Sequence, residues 1–180
     1  VGYEMFCDLL KDELNLAVGR DIRARYPNIV FSDDSLIGES YLNNQHQRLD
    51  FYSRFSRADS GVDISQIAKE MEDRFGKIPD ETKNLVSVAR LRVLYKDTSI
   101  KNIDVKDSSV LLTLDSIKPF VSLDLLFESV SEFSIREKTK HHFGKSKAGD
   151  FLISFSSQNI QRSISLLLKC VHLFSSKNGN

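Results

Sequence analysis

A chain of 180 residues with 41% hydrophobic side chains and only three prolines suits one domain, or one domain with an appended subdomain, and is too apolar for an intrinsically disordered protein. Its 25 basic and 25 acidic residues cancel, which excludes the overall basic excess of a free-standing nucleic-acid-binding domain but allows a local basic patch. No apolar run approaches a membrane span, and no basic stretch leads into an apolar core at the N-terminus, so the chain reads as cytoplasmic. Cys7 and Cys170 stand near opposite ends without CxxC spacing and read as reduced core thiols. The sequence begins at Val1, inside a helical pattern and without an initiator methionine, as expected of a piece excised from a longer chain.

In chain order, Tyr3, Phe6, Cys7, Leu10, Leu14, Ala17 and Val18 fall at the spacing of an amphipathic helix that Gly19 can stop. Residues 28–31 are β-branched and predict a short strand, with loop on either side of Ile37. Asn43 and Asn44 can cap a helix to about Arg57, with Leu49, Tyr52 and Phe55 inward. Asp63 is predicted to cap a helix over residues 64–75. Its inward face is Ile64, Ile67, Ala68, Met71 and Phe75; Gln66, Glu70 and Asp73 face out. Gly76 supplies a left-handed stop, Pro79 cannot continue the helix, and Asp80 can accept from the amides that open the next one. That next helix carries Leu85, Val86, Val88, Ala89, Leu91, Val93, Leu94 and Tyr95. Apolar on most sides, it reads as the central buried helix.

After Asp97 the period changes. Ile103 and Val105, then Val110, Leu112 and Leu114, alternate about residues 106–109 as a β-hairpin does. Ser122 can cap a short helix through Leu123, Leu126 and Val130. Residues 133–138 and 151–155 are predicted as two further strands joined by a polar loop, and a closing helix over residues 158–174 presents Ile160, Ile164, Leu167, Leu168 and Val171. The fold class is therefore α+β: a helical N-terminal half packed with an antiparallel β-sheet and helices in the C-terminal half, one domain divided near residues 97 and 98.

Candidate chemistry is sparse. Gly144-Lys145-Ser146 has the tail of a phosphate-binding loop, but Thr139 stands where the first glycine is needed and the segment leads into a strand, so it reads as a polar hairpin loop. Arg136, Lys138, Lys140, His141, His142, Lys145 and Lys147 form the one local basic cluster, with Glu137 its single acid. It could follow a phosphate backbone, with Phe143 stacking on a base, or be a solvated hairpin tip. No Gly-x-Ser-x-Gly elbow and no metal-ligand spacing occur, so no catalytic, cofactor-binding or metal-binding residue is assigned. A hydrolase with a triad assembled only in three dimensions would need a pocket within reach of His46, His141, His142 or His172. Glu70 and Asp73, three apart on one outer helix face beside Glu72 and Arg74, can dock on a basic patch of another protein; the alternative is an ordinary wet face.

The pattern Glu70-x-x-Asp73-Arg74-Phe75-Gly76-x-Ile78-Pro79, followed by Asn84-Leu85 and Ala89-Arg90-Leu91-Arg92, resembles the C-terminal domain of the bacterial transcription-repair coupling factors. Val1-Gly2-Tyr3 with Leu9-Leu10, Ile37 with Tyr41-Leu42, and Gln47-Arg48-Leu49 with Tyr52 and Arg54 agree in the right order. The resemblance spans residues 1–105 and departs where Gly38 and Asn43 replace prolines usual in the family. It implies a parent protein that translocates on double-stranded DNA with ATP, displaces RNA polymerase stalled at lesions and recruits the excision-repair protein UvrA. On that resemblance, ATP and magnesium belong to the motor of the parent and none to this chain. The domain is then a non-catalytic, autoinhibitory one that packs on the parent's UvrB-like N-terminal module and masks its UvrA-binding face. Glu70 and Asp73 become the interdomain contact. A nucleic-acid-binding accessory domain using Arg136, Lys138, Lys140, Lys145 and Lys147 remains the alternative.

Overall fold

The computed structural model describes residues 26–115 and 123–174, which fall into two compact units. Residues 33–94 form a helical unit of α1 (Gln45–Arg57), α2 (Gly61–Phe75) and α3 (Asp80–Leu94). Residues 26–32, 95–115 and 123–174 form the second unit, with β1 (Asn28–Phe31), β2 (Ile100–Val105), β3 (Ser109–Leu114), α4 (Leu123–Arg136), β4 (His141–Lys145), β5 (Phe151–Ser156) and α5 (Ile160–Cys170), which a 3-10 turn over Val171–Phe174 continues. The protein is α+β, as the sequence implies. The helix expected over residues 3–18, Cys7 and Ser122 lie outside the described residues.

In the helical unit, Asn44 caps α1 by accepting from the Gln47 amide at 3.1 Å. Phe51, Tyr52, Phe55 and Ser56 are buried and Leu49 is only half-buried, so Phe51 takes the inward place predicted for Leu49. Helix α2 starts earlier than predicted. Ser60 is its cap, accepting from the Asp63 amide at 3.1 Å, and the Asp63 carboxylate accepts from the Ser60 amide at 3.1 Å. Asp63 is thus the acid of a capping box, because a hydroxyl three residues upstream already holds the extended conformation a cap requires. Gly76 ends α2 at φ 84°, the left-handed region the sequence predicts for it.

Asp80 does not cap backbone amides. It is the first residue of α3 and binds the Lys83 ammonium at 2.7 Å, while the Lys83 amide is satisfied by the Pro79 carbonyl at 2.9 Å. Thr82, Leu85, Val86, Val88, Ala89, Leu91 and Arg92 are buried, so α3 is enclosed on most of its girth. The loop before α1 is pinned to its neighbours. Ile37 donates to the Tyr52 hydroxyl at 2.7 Å, Thr82 donates to the Leu36 carbonyl at 2.9 Å, and the Tyr41 hydroxyl lies 2.9 Å from the Gly76 carbonyl and 3.1 Å from that of Met71. Tyr41 therefore fastens the α2–α3 bend from outside.

The second unit is a five-stranded sheet of order β1-β2-β3-β5-β4. The hairpin of β2 and β3 is as predicted, with Val105 opposite Val110 and Ile103 opposite Leu112. Strand β1 pairs with β2 in parallel, Ile29 opposite Ile103, so the sheet is mixed and the expectation of antiparallel pairing throughout is corrected. A parallel neighbour needs a long connection, and residues 32–99 supply one. Residues 133–136 belong to α4, not to the strand predicted over 133–138. Leu126, Val130, Phe133 and Ser134 make a buried helical stripe, while Ile135, whose alternation with Phe133 imitates a strand, is 79% exposed. The strand of this region is β4, antiparallel to β5 with Phe143 opposite Ile153.

Asn159 caps α5 by accepting from the Arg162 amide at 2.8 Å. Its buried stripe is Ile160, Ser163, Leu166, Leu167 and Cys170, turned from the predicted one, which leaves Leu168 exposed. The Tyr95 hydroxyl donates to the Leu167 carbonyl at 2.8 Å and lies 3.2 Å from the Cys170 sulfur. Burial pushes the Cys170 thiol up to about 12, so this cysteine is inert core material. No described helix is long and apolar enough to cross a membrane.

Candidate docking surface

Helix α2 turns Ile64, Ile67 and Met71 into the core, which fixes Glu70, Glu72, Asp73 and Arg74 on or near its outer side. The two acids singled out from sequence differ in kind. Glu70 is 35% exposed and lies between two arginines, 2.5 Å from the Arg54 guanidinium of α1 and 2.7 Å from that of Arg74 one helical turn on. The hydrogen bond from Arg54, and then that from Arg74, hold the Glu70 carboxyl down to about 2. Both arginines also lie over aromatic faces: Arg54 is 5.0 Å from the Phe51 ring centre and Arg74 is 4.9 Å from that of Phe75. Asp73, by contrast, is exposed and has no ion-pair partner among the described residues, and neither has Glu72.

The arrangement is a framed acidic face. Glu70 ties α2 to α1 and is internally compensated, while Asp73 and Glu72 carry exposed charge that no ion pair among the described residues offsets. The Arg74 contact is legible as an i,i+4 pair. Arg54 is the residue that sequence reasoning misses, because it sits sixteen positions away on another helix and only tertiary packing delivers it.

The basic residues of the alternative do not converge. Arg136 ends α4, 4.0 Å from Glu137, which also takes Lys169 at 2.7 Å and Arg162 at 3.5 Å. These cations, Lys169 first, lower the Glu137 carboxyl from its ordinary value. Lys138 occupies the following turn at φ 51°. Lys140 precedes β4, Lys145 ends it with its ammonium 5.0 Å from the Phe151 ring, and Lys147 lies in the tight turn to β5. Gly144-Lys145-Ser146 is therefore strand running into a hairpin, and no helix follows to aim amides at a phosphate.

Of the histidines considered for a triad, His46 and His142 are exposed, and the His172 ring is 2.7 Å from the Lys169 carbonyl. His141 lies 3.4 Å from the Ser131 hydroxyl, whose hydrogen goes to the Phe127 carbonyl at 2.7 Å. Among the described residues no three His, Cys, Asp or Glu side chains gather as a metal-binding group.

These elements define an α+β domain with a helical unit bent at Gly76, and the family description called the TRCF domain matches residues 32–121, half of the chain. The chain belongs to the TRCF domain family. It is 28% identical over 115 residues to the transcription-repair-coupling factor of Myxococcus xanthus, covering 63% of this chain and 10% of that protein. To the transcription-repair-coupling factor of Haemophilus influenzae it is 30% identical over 110 residues, covering 58% and 10%. The chain thus spans about a tenth of the length of the curated relatives it matches. A crystal structure of the C-terminal domain of transcription-repair coupling factor superposes with a TM-score of 0.67 at 17% identity, covering 85% of this chain and 98% of that one, so the two share a fold.

Proposed function

We propose that this domain is a non-catalytic, autoinhibitory module of a transcription-repair coupling factor. It docks by the outer face of α2 on a UvrB-like module of the same parent and so masks the binding of UvrA. The parent, in this reading, is an ATP-dependent DNA translocase that displaces stalled RNA polymerase, with ATP and magnesium held by its motor. The observation that carries the reading is the framed acidic face: Asp73 stands exposed and unpaired beside a Glu70 whose orientation two arginines fix. A few exposed charge contacts of about 0.2–1 kcal/mol each suit a contact that must open again.

Asp73→Ala is the direct test, since it removes the free charge without placing a new cation beside the Arg54–Glu70–Arg74 frame. We expect it to weaken binding to the isolated UvrB-like module by about tenfold in calorimetry at low salt, with the melting temperature unchanged. Unaltered affinity would count against α2 as the docking face. The rival nucleic-acid reading is less well supported, because Arg136 is engaged by Glu137 while Lys145 and Lys147 lie at the far end of β4.

A further inference from the structure

We propose that the open edge of β4, with the apolar pocket beside it, is a docking site for an extended acidic polypeptide segment, which adds to the sheet as a further strand and places one apolar side chain in the pocket. This site is independent of the α2 face and its assignment.

Strand β4 is last in the sheet order among the described strands. The Ser156 amide donates to the Lys140 carbonyl and the Ser146 amide to the Asp150 carbonyl, each at 2.9 Å. In an antiparallel pair the bonded positions alternate, so Lys140, His142, Gly144 and Ser146 direct their backbone groups to β5. The amides and carbonyls of His141, Phe143 and Lys145 consequently point to the open edge. That is a three-residue template for main-chain pairing.

The pocket lies at the same place. It is a half-open pocket of about 270 Å³, walled by Phe143, Gly144 and Lys145 of β4, by Phe151 of β5, and by Leu126 and Phe127 of α4, among others. The volume is below the roughly 300–1,000 Å³ of a small-molecule site and suits a single Leu, Met or Phe side chain. Phe143 and Lys145 are at once edge residues and pocket walls. A side chain directly across from either, on an added strand, lies about 4.5–5.5 Å from it at Cβ and on the same face of the sheet, at the pocket.

Charge selects the occupant. Lys140, Lys145 and Lys147 run along the edge, and no acid pairs with them among the described residues. Two copies of this chain pairing edge to edge would bring like charges together, so self-association is disfavoured. Nucleic acid fits less well. The Phe143 ring is packed against Phe127, with centres 4.6 Å apart, and against His141 at 5.1 Å, so it is not free to stack on a base.

The test uses the full 180-residue chain and a fluorescein-labelled peptide of about eight residues alternating Glu with Leu and Val, long enough to span the edge. Anisotropy is expected to report saturable binding, and amide exchange at His141, Phe143 and Lys145 is expected to slow when the peptide is added. Lys145→Pro removes an outward amide without breaking a bond to β5, and should weaken binding about tenfold, more than Lys145→Gln does. Lys147→Glu reverses an exposed charge in the turn, outside the residues paired between β4 and β5, and should also weaken binding. Three results would each overturn the proposal: unchanged exchange at the three amides, equal binding of the peptide with Lys for Glu, or tighter binding of duplex DNA than of the peptide.

Discussion

Glu70 illustrates how a surface acid can be structural. Its folded-state carboxyl is lowered from 4.5 to about 2 by Arg54 and Arg74, so the stabilisation it provides is complete above about 4.5 and is lost as pH falls through about 2. Glu70→Gln lacks that dependence. The variant is expected to be less stable than the parent chain at neutral pH by about 1 kcal/mol, the scale of an exposed pair. The difference should shrink as urea titrations are repeated at decreasing pH between those two values. A constant difference across that window would mean that Glu70 does not stabilise through ionised contacts. Half of this network is readable in the sequence, because Arg74 lies one turn along the same helix. The other half, Arg54, is set by how α1 packs on α2 through Phe51 and Phe75, whose rings sit 5.9 Å apart.

At the scale of elements, punctuation residues proved more informative than alternation. Gly76 and Pro79 mark the α2–α3 bend correctly because their constraints are local and steric. Phe133 and Ile135 mislead because two apolar residues at i and i+2 also occur across a helix whose outer side is apolar, as the exposure of Ile135 attests. Gly76→Ala tests the bend. A Cβ there meets no atom within 4 Å, so its cost is that of the backbone alone, which at φ 84° and ψ −168° lies in a region essentially confined to glycine, about 1–3 kcal/mol. Chemical denaturation should register that loss with an unchanged m-value. A negligible loss would mean that the bend relaxes to another conformation, and then the orientation of α2 would not be fixed by Gly76.

For the molecule as a whole, the change of hydrophobic period after Asp97 marks where the chain turns from helices to the β2–β3 hairpin, whereas the parallel partnership of β1 with β2 leaves no such mark. Pairing across some seventy residues leaves no local trace in a four-residue strand. The neutral net charge likewise conceals an uneven distribution, with free acids on α2 and free lysines along β4. That unevenness allows docking and folding to be separated experimentally. Glu70→Gln and Asp73→Asn each remove one negative charge from the same helix face, so long-range attraction to a basic partner should fall equally in both. Only Glu70→Gln also dismantles the link between α1 and α2. If the proposed docking relies on the field of the face, both variants should slow association with a UvrB-like module to a similar extent. The effect should fade between about 0.1 and 1 M salt as the screening length falls from about 10 to 3 Å. If the frame itself is what the partner reads, Glu70→Gln alone should weaken binding, chiefly by faster dissociation, and the defect should persist at high salt. Stopped-flow association and dissociation rates of the two variants at both salt concentrations distinguish these outcomes, and equal, salt-sensitive losses in association rate are the result the framed acidic face predicts.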